Sequence, residues 1–175
     1  SFGTKRYLDD KQMAEGLPFA GRFIGFHPPG RFDRIVDLER CWLTGEASNT
    51  LLKIVGEALQ LSCQEPYDTR SHTGFWRHLL LRESPVTGEC LVGLYTTSST
   101  EPAVEEEVAR LAERLMGQPL PGQSRLVGVV WMENDGVADV ARGPERRVWG
   151  RSWMMERLGE TEFRLSPSSF FQTST

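Results

Sequence analysis

The spacing of apolar positions changes several times along the chain. Residues 1–8 and 22–27 ("RFIGFH") read as strands around a polar turn, and "PPGRFD" (residues 28–33) reads as the following loop. "RIVDLERCWL" continues as a short strand, with Ile35, Asp37 and Glu39 alternating against Val36, Leu38 and Arg40. From Glu46 the period lengthens. Leu51, Leu52, Val55, Leu59 and Leu61 fall on one face of a helix ending near Leu61. "WRHLLLRES" and "ECLVGLYTT" are strands joined by "PVTG", whose proline and glycine mark a hairpin turn. A second helix is expected from Pro102 to Met116, with Val104, Val108, Leu111, Ala112 and Leu115 inward and acids in its first turn. "PLPGQ" then breaks the chain before the strand "SRLVGVVWMEN", and "RRVWGR", "WMMERLG" and "EFRLSP" read as further short strands or extended turns.

The central order helix, strand, strand, helix, strand predicts an α+β fold. Its expected form has two layers, a mainly antiparallel sheet with two helices on one face. The length of 175 residues allows one core, or a domain with an appendage.

Composition narrows this little. Charged residues make up 25% and the formal net charge is -4, which excludes a chain that is cationic throughout. Arginine outnumbers lysine 17 to 3. That bias suits bidentate phosphate contacts and base stacking, and a GC-rich genome produces it equally well. Three scattered cysteines (Cys41, Cys63, Cys90) form no CxxC pair, which argues against a disulfide framework or a self-contained zinc site. No apolar run approaches the ~20 residues of a membrane span. No leader pattern opens the chain, so the expectation is a cytoplasmic protein without membrane partners. No pattern specifies an oligomeric state. "SFGTKRYL" reads as mid-strand and the last residues end on "FFQTST", so both ends look cut.

Among candidate sites, "SHTGFWRHLLLR" interleaves His72, Arg77, His78 and Arg82 with Phe75 and Trp76, the mixture with which proteins grip phosphates and stack bases. A solvated edge strand has the same residues, and strand alternation leaves only one or two cations per face. "PPGRFDR" offers a second patch, Arg31 and Arg34 around Phe32. No nucleotide-binding glycine fingerprint, P-loop or hydrolytic triad is present. Cys41, taken alone, reads as a small buried hydrophobe. Phe170 and Phe171 either pack in the core or present a ring to a planar ligand.

The blocks "SFGTKRY", "RFIGFHPPGRFDRIVDLERCWL", "HTGFWRHLLLRESPVTGECLVGLYT" and "FRLSPSSFFQTST" come in the order found in RNA uracil-5-methyltransferases of the 23S rRNA and tRNA class. The chain resembles that family over nearly its whole length, least distinctively around residues 118–150.

The resemblance implies a central, substrate-orienting α+β domain over residues 1–160, with residues 161–175 beginning an S-adenosyl-L-methionine-dependent methyltransferase domain. The glycine-rich cofactor loop, the catalytic cysteine and the base lie beyond this segment in relatives, so the segment alone is expected to be inactive. In the family a cysteine thiolate adds to C6 of a flipped uracil, which makes C5 nucleophilic toward the methyl group. Matched position by position, Gln172 corresponds to a glutamine that contacts S-adenosylmethionine, and Phe170 to the side chain near the flipped uracil. Phe171 corresponds to a residue packed in the methyltransferase core. Ser174 replaces the asparagine common in relatives. Arg77, His78, Arg31 and Arg34 become expected RNA contacts. Cys41 corresponds to the fourth ligand of a [4Fe–4S] cluster found in the rRNA subgroup. The alternative is a free-standing RNA-binding or protein-interaction module without catalysis.

Overall fold

The computed structural model of the chain describes residues 1–171. Strands β1 (Phe2–Lys5), β2 (Ala20–Phe26) and β3 (Val36–Asp37) form a small antiparallel sheet in that order. Between β1 and β2 the expected polar turn contains a short helix, α1 (Asp10–Ala14). Asp9 accepts from the Gln12 backbone N–H while the Gln12 side chain accepts from Asp9, a reciprocal cap written in "DDKQ". β3 is much shorter than its alternation predicts. The Asp37 side chain accepts the Ile24 N–H at 3.2 Å and pairs with Arg6, so a carboxylate takes the place of further strand pairing. Beyond it Trp42 is exposed, stacked on Arg40 at 4.7 Å.

Helix α2 (Glu46–Leu61) follows, then β4 (Trp76–Glu83), β5 (Glu89–Thr96), α3 (Pro102–Met116), β6 (Arg125–Glu133) and β7 (Glu145–Gly150). The four strands β4-β5-β6-β7 lie in sequence order. β4–β5 and β6–β7 are antiparallel, whereas β5 and β6 run parallel because α3 crosses over between them. One face of this sheet carries Cys90, Val92, Leu94, Val129 and Trp131, and on it pack Leu51, Val55 and Leu59 of α2 with Val104, Val108 and Leu115 of α3. This is the expected α+β arrangement. Leu61 departs from the predicted inward face, 82% exposed at the end of α2.

The opposite face is covered as well. β8 (Met154–Leu158) and β9 (Thr161–Leu165) form an antiparallel hairpin, in register from Met154↔Leu165 to Leu158↔Thr161. Met154, Leu165 and Phe163 close over Leu91, Tyr95, Val130 and Met132. The sheet is therefore buried on both sides. Short apolar strands alone do not show which neighbour they cover, and the two-layer expectation gains this third element.

The entrance to β4 depends on Gly74. Its φ is +111°, and a Cβ there would lie 2.3 Å from the Pro66 carbonyl oxygen. Only glycine fits that crossing. No helix among the described residues is long and apolar enough to cross a membrane.

Leu94 is fully buried between sheet and helices. Leu94→Ala is expected to lower unfolding free energy by ~2–5 kcal/mol in urea titrations. Leu61→Ala, on the exposed end of α2, is expected to change it by less than ~0.5 kcal/mol.

Candidate functional site

The sequence block "WRHLLLR" lies on β4, where a bulge between Trp76 and His78 interrupts the alternation. The irregularity at Arg77 turns its side chain inward, to 2% exposure. Its guanidinium stacks on Tyr67 at 4.0 Å. One nitrogen donates to the Asn134 and Gly136 carbonyls at 2.7 and 2.6 Å, the other to the Ala138 carbonyl at 2.9 Å. Asn134 completes the loop by donating to the Val140 carbonyl at 2.7 Å and accepting from Gly136 N–H at 3.0 Å.

That loop delivers Asp139 between two histidines. His27 Nε2 lies 2.8 Å from one carboxylate oxygen and His78 Nε2 3.3 Å from the other. The contact with Asp139 raises the His27 pKa above its ordinary value despite partial burial. His78 behaves oppositely: burial outweighs Asp139 and lowers its pKa to about 4. Arg77 and His78, 2% and 5% exposed, thus present no surface to RNA in this structure. Both terminal nitrogens of Arg77 are taken up by the 134–138 carbonyls, and His78 Nδ1 lies 3.1 Å from the Ser1 hydroxyl.

Arg82, five residues along the same strand, does the equivalent for the chain after β9. It donates to the Pro167 carbonyl at 3.3 Å and, more closely, to the Ser169 carbonyl. Within this turn Ser169 N–H donates to the Ser166 carbonyl at 3.1 Å, and Ser166 N–H to the Ser169 hydroxyl at 3.0 Å. Phe171 turns inward, its ring 5.6 Å from that of Phe163. Phe170 points outward and is 94% exposed. A shallow cleft lies beside this turn, lined by Ala141, Arg142, Gly143 and Pro144 on one side and Pro167 and Ser168 on the other.

The hairpin leading to this turn is seated by "TGE". Thr87 donates to the Met155 carbonyl at 2.8 Å, and Glu89 accepts the Met155 N–H at 2.8 Å. The other Glu89 oxygen meets Arg125 at 2.8 Å and Arg151 at 2.7 Å. Burial opposes the Glu89 charge, but the Met155 N–H and the two guanidiniums outweigh it and hold the carboxyl below its usual range.

The remaining expected residues lie elsewhere. Arg31 is exposed, 3.5 Å from Asp33, and Arg34 is half-buried, stacked on Phe19 at 4.8 Å. Among the described residues no hydrogen bond or ion pair joins that loop to the Phe170 turn. Cys41 is half-buried, and Asn49 fixes its backbone through bonds of 2.8 and 3.1 Å. No group of three or more potential metal ligands occurs among the described residues. Cys90 is a buried core thiol, its pKa pushed up to about 12 by burial. Cys41 thus fits an iron–sulfur cluster as a single corner only. Gln172 lies outside the described residues.

The roles of Arg82, Glu89 and Asp139 were not legible in the sequence, since each acts through backbone groups or residues far along the chain. Another feature missed there is Trp153, with the guanidiniums of Arg151 and Arg164 over its ring at 4.3 and 4.6 Å. The alternation "RVWGRSWMMER" was the only signal available for it.

No family model matches the chain. Full-length comparison finds an uncharacterized RNA methyltransferase of Chlorobaculum tepidum, 32% identical over all of this chain and 35% of the relative. A tRNA (uracil(54)-C(5))-methyltransferase of Pyrococcus horikoshii is 27% identical over 99% of the chain and 37% of its own length. These likenesses support the RNA uracil-C5-methyltransferase family. The chain spans about a third of the length of these relatives. Among solved structures, the tRNA (uracil-54, C5)-methyltransferase of Pyrococcus abyssi, crystallised with S-adenosyl-L-homocysteine, shares the fold. It superposes at a TM-score of 0.64 with 24% identity, over 85% of this chain and 33% of that one.

The histidine pair makes a titration prediction. Between pH 6.5 and about 4 the unfolded chain takes up a proton at residue 78 that the folded chain excludes, so this component of stability is lost as pH falls through that window. His27 works in the other sense: its component is present below pH 6.5 and is lost as pH rises through its elevated folded value. Imidazole NMR titration is expected to show His78 neutral down to about pH 4 and His27 protonated above its ordinary value.

Proposed function

We propose that these residues are the substrate-orienting part of an S-adenosyl-L-methionine-dependent RNA methyltransferase that makes 5-methyluridine in tRNA or rRNA. In this reading residues 1–160 form the central domain, and residues 161–175 lead into the methyltransferase domain that completes the site. The observation that carries it is the outward Phe170, held by a clamped turn at the end of a segment that relatives of this family share. A soluble domain gains nothing by fixing a fully exposed phenylalanine unless the ring meets something flat or apolar. A uracil taken out of its stack is such a surface. The exposed Arg31 and the Arg34 loop, with Phe32 59% exposed between them, supply a second zone for RNA.

S-adenosylmethionine supplies the methyl group when bound, and Gln172 is the residue of this chain assigned to it. What the described residues contribute is orientation. Phe170 offers a face for the base, Phe171 ties the same segment to the hairpin, and the cleft beside Pro167 and Ser168 leaves room for the flanking chain. Cys41 is assigned one thiolate corner of a [4Fe–4S] cluster in the whole protein, with the other ligands supplied from outside these residues.

The test uses the protein encoded by the whole reading frame, incubated with unmodified tRNA and rRNA transcripts. The expected product is 5-methyluridine, detected by mass spectrometry of nucleosides and dependent on S-adenosylmethionine. RNA binding without product would favour the non-catalytic RNA-binding reading. In the active protein Phe170→Ala is expected to lower kcat/KM for methylation by about tenfold or more, equivalent to ~1.4 kcal/mol. Thermal stability is expected to move by less than ~0.5 kcal/mol, since the ring packs on almost nothing. Equal losses in both would assign the ring to packing instead.

A further inference from the structure

Arg82 stands near the end of β4, one residue before Glu83. The two neighbours take opposite tasks. Glu83 accepts the Ser48 N–H at 3.0 Å at the start of α2, on the helix side. Arg82 instead reaches the turn that follows β9. Its guanidinium is half-buried and appears in no ion pair among the described residues, and burial disfavours its charge. A cation in that position is stabilised by whatever acceptors fold around it. The acceptors are two carbonyls of one turn, Pro167 and Ser169, both met by the same terminal nitrogen.

Two carbonyls aimed at one nitrogen leave the intervening residue no freedom to rotate away. Ser169 carries the second carbonyl, and the next residue is Phe170. Beyond it, Phe171 is drawn inward by Phe163. The backbone that carries the exposed ring is thus held on both sides, by a charge-assisted bond before it and by an aromatic contact after it.

We propose that Arg82 is a positioning residue that holds the Phe170 ring in the orientation a flipped uracil meets. The proposal rests on the reading of Phe170 given above. In this role Arg82 acts on the ring through the 167–169 backbone, whose carbonyls it meets.

The experiment has two arms. In the first, the 175-residue chain is digested with chymotrypsin under folding conditions and cleavage after Phe170 is followed by mass spectrometry. Arg82→Met keeps the apolar stem and removes the donors. It is expected to speed that cleavage by about tenfold or more, the size of one lost charge-assisted bond. Arg82→Lys, which keeps the charge, is expected to fall between the two and serves as well if the Met variant fails to fold. Unchanged cleavage in both variants would overturn the proposal.

In the second arm, the whole methyltransferase carries the same substitutions. The expected result is a fall in kcat of about tenfold, KM for S-adenosylmethionine within about twofold of the parent, and partial rescue by lysine. A faster-cleaved turn with kcat unchanged would overturn the positioning role. If the unsubstituted enzyme makes no 5-methyluridine, the functional reading fails and the uracil assignment with it. The cleavage arm still decides whether Arg82 holds the turn.

Discussion

Two guanidiniums on one strand, Arg77 buried and Arg82 half-buried, dictate the shape of one end of this domain. Arg77 and Arg82 both lie on β4, and both are satisfied mainly by backbone carbonyls rather than by carboxylates. Removing such a cation from water is unfavourable by several kcal/mol unless its donors are met. The loops that supply the carbonyls are therefore not free to adopt other shapes while the sheet is intact. One guanidinium organises residues 134–138 and the other residues 167–169, and the cleft lies between the 141–144 segment that follows the first loop and the Pro167–Ser168 turn.

The hairpin that closes the second face depends on a different charge. Glu89 starts β5, where the parallel register sets it opposite Arg125 of β6. Arg151 arrives from the end of β7, and the Met155 N–H from β8. Four segments thus meet at one carboxylate. The parallel pairing made by the α3 crossover is what brings Arg125 to that position. With the hairpin seated, Met154 and Leu165 bury the sheet's outer face and the turn bearing Phe170 follows.

The helices were legible in the sequence because their evidence is local. The 3.6-residue period and the flanking breakers mark residues 46–61 and 102–116 without reference to anything distant, and the structure agrees. The main strands were legible for the same reason. Local reading failed where a side chain replaced the backbone as a partner, as Asp37 does for β3. It also left the burial of Arg77 and His78 unread. A cation beside aromatic residues has the same signature whether it faces phosphate or carbonyl oxygen, and only burial separates the two.

Sequence by itself determined the α+β class, the two long helices and the succession of the main strands along the chain, because period and turn chemistry are written in neighbouring residues. Its motif blocks also pointed to the methyltransferase family. Tertiary structure alone decided that β5 and β6 run parallel, that the second face is covered, and that two arginines of one strand act as clamps. Those outcomes rest on contacts between residues tens of positions apart. Whether Phe170 or Phe171 faces outward was decided in the same way, by what Phe163 and Arg82 hold in place.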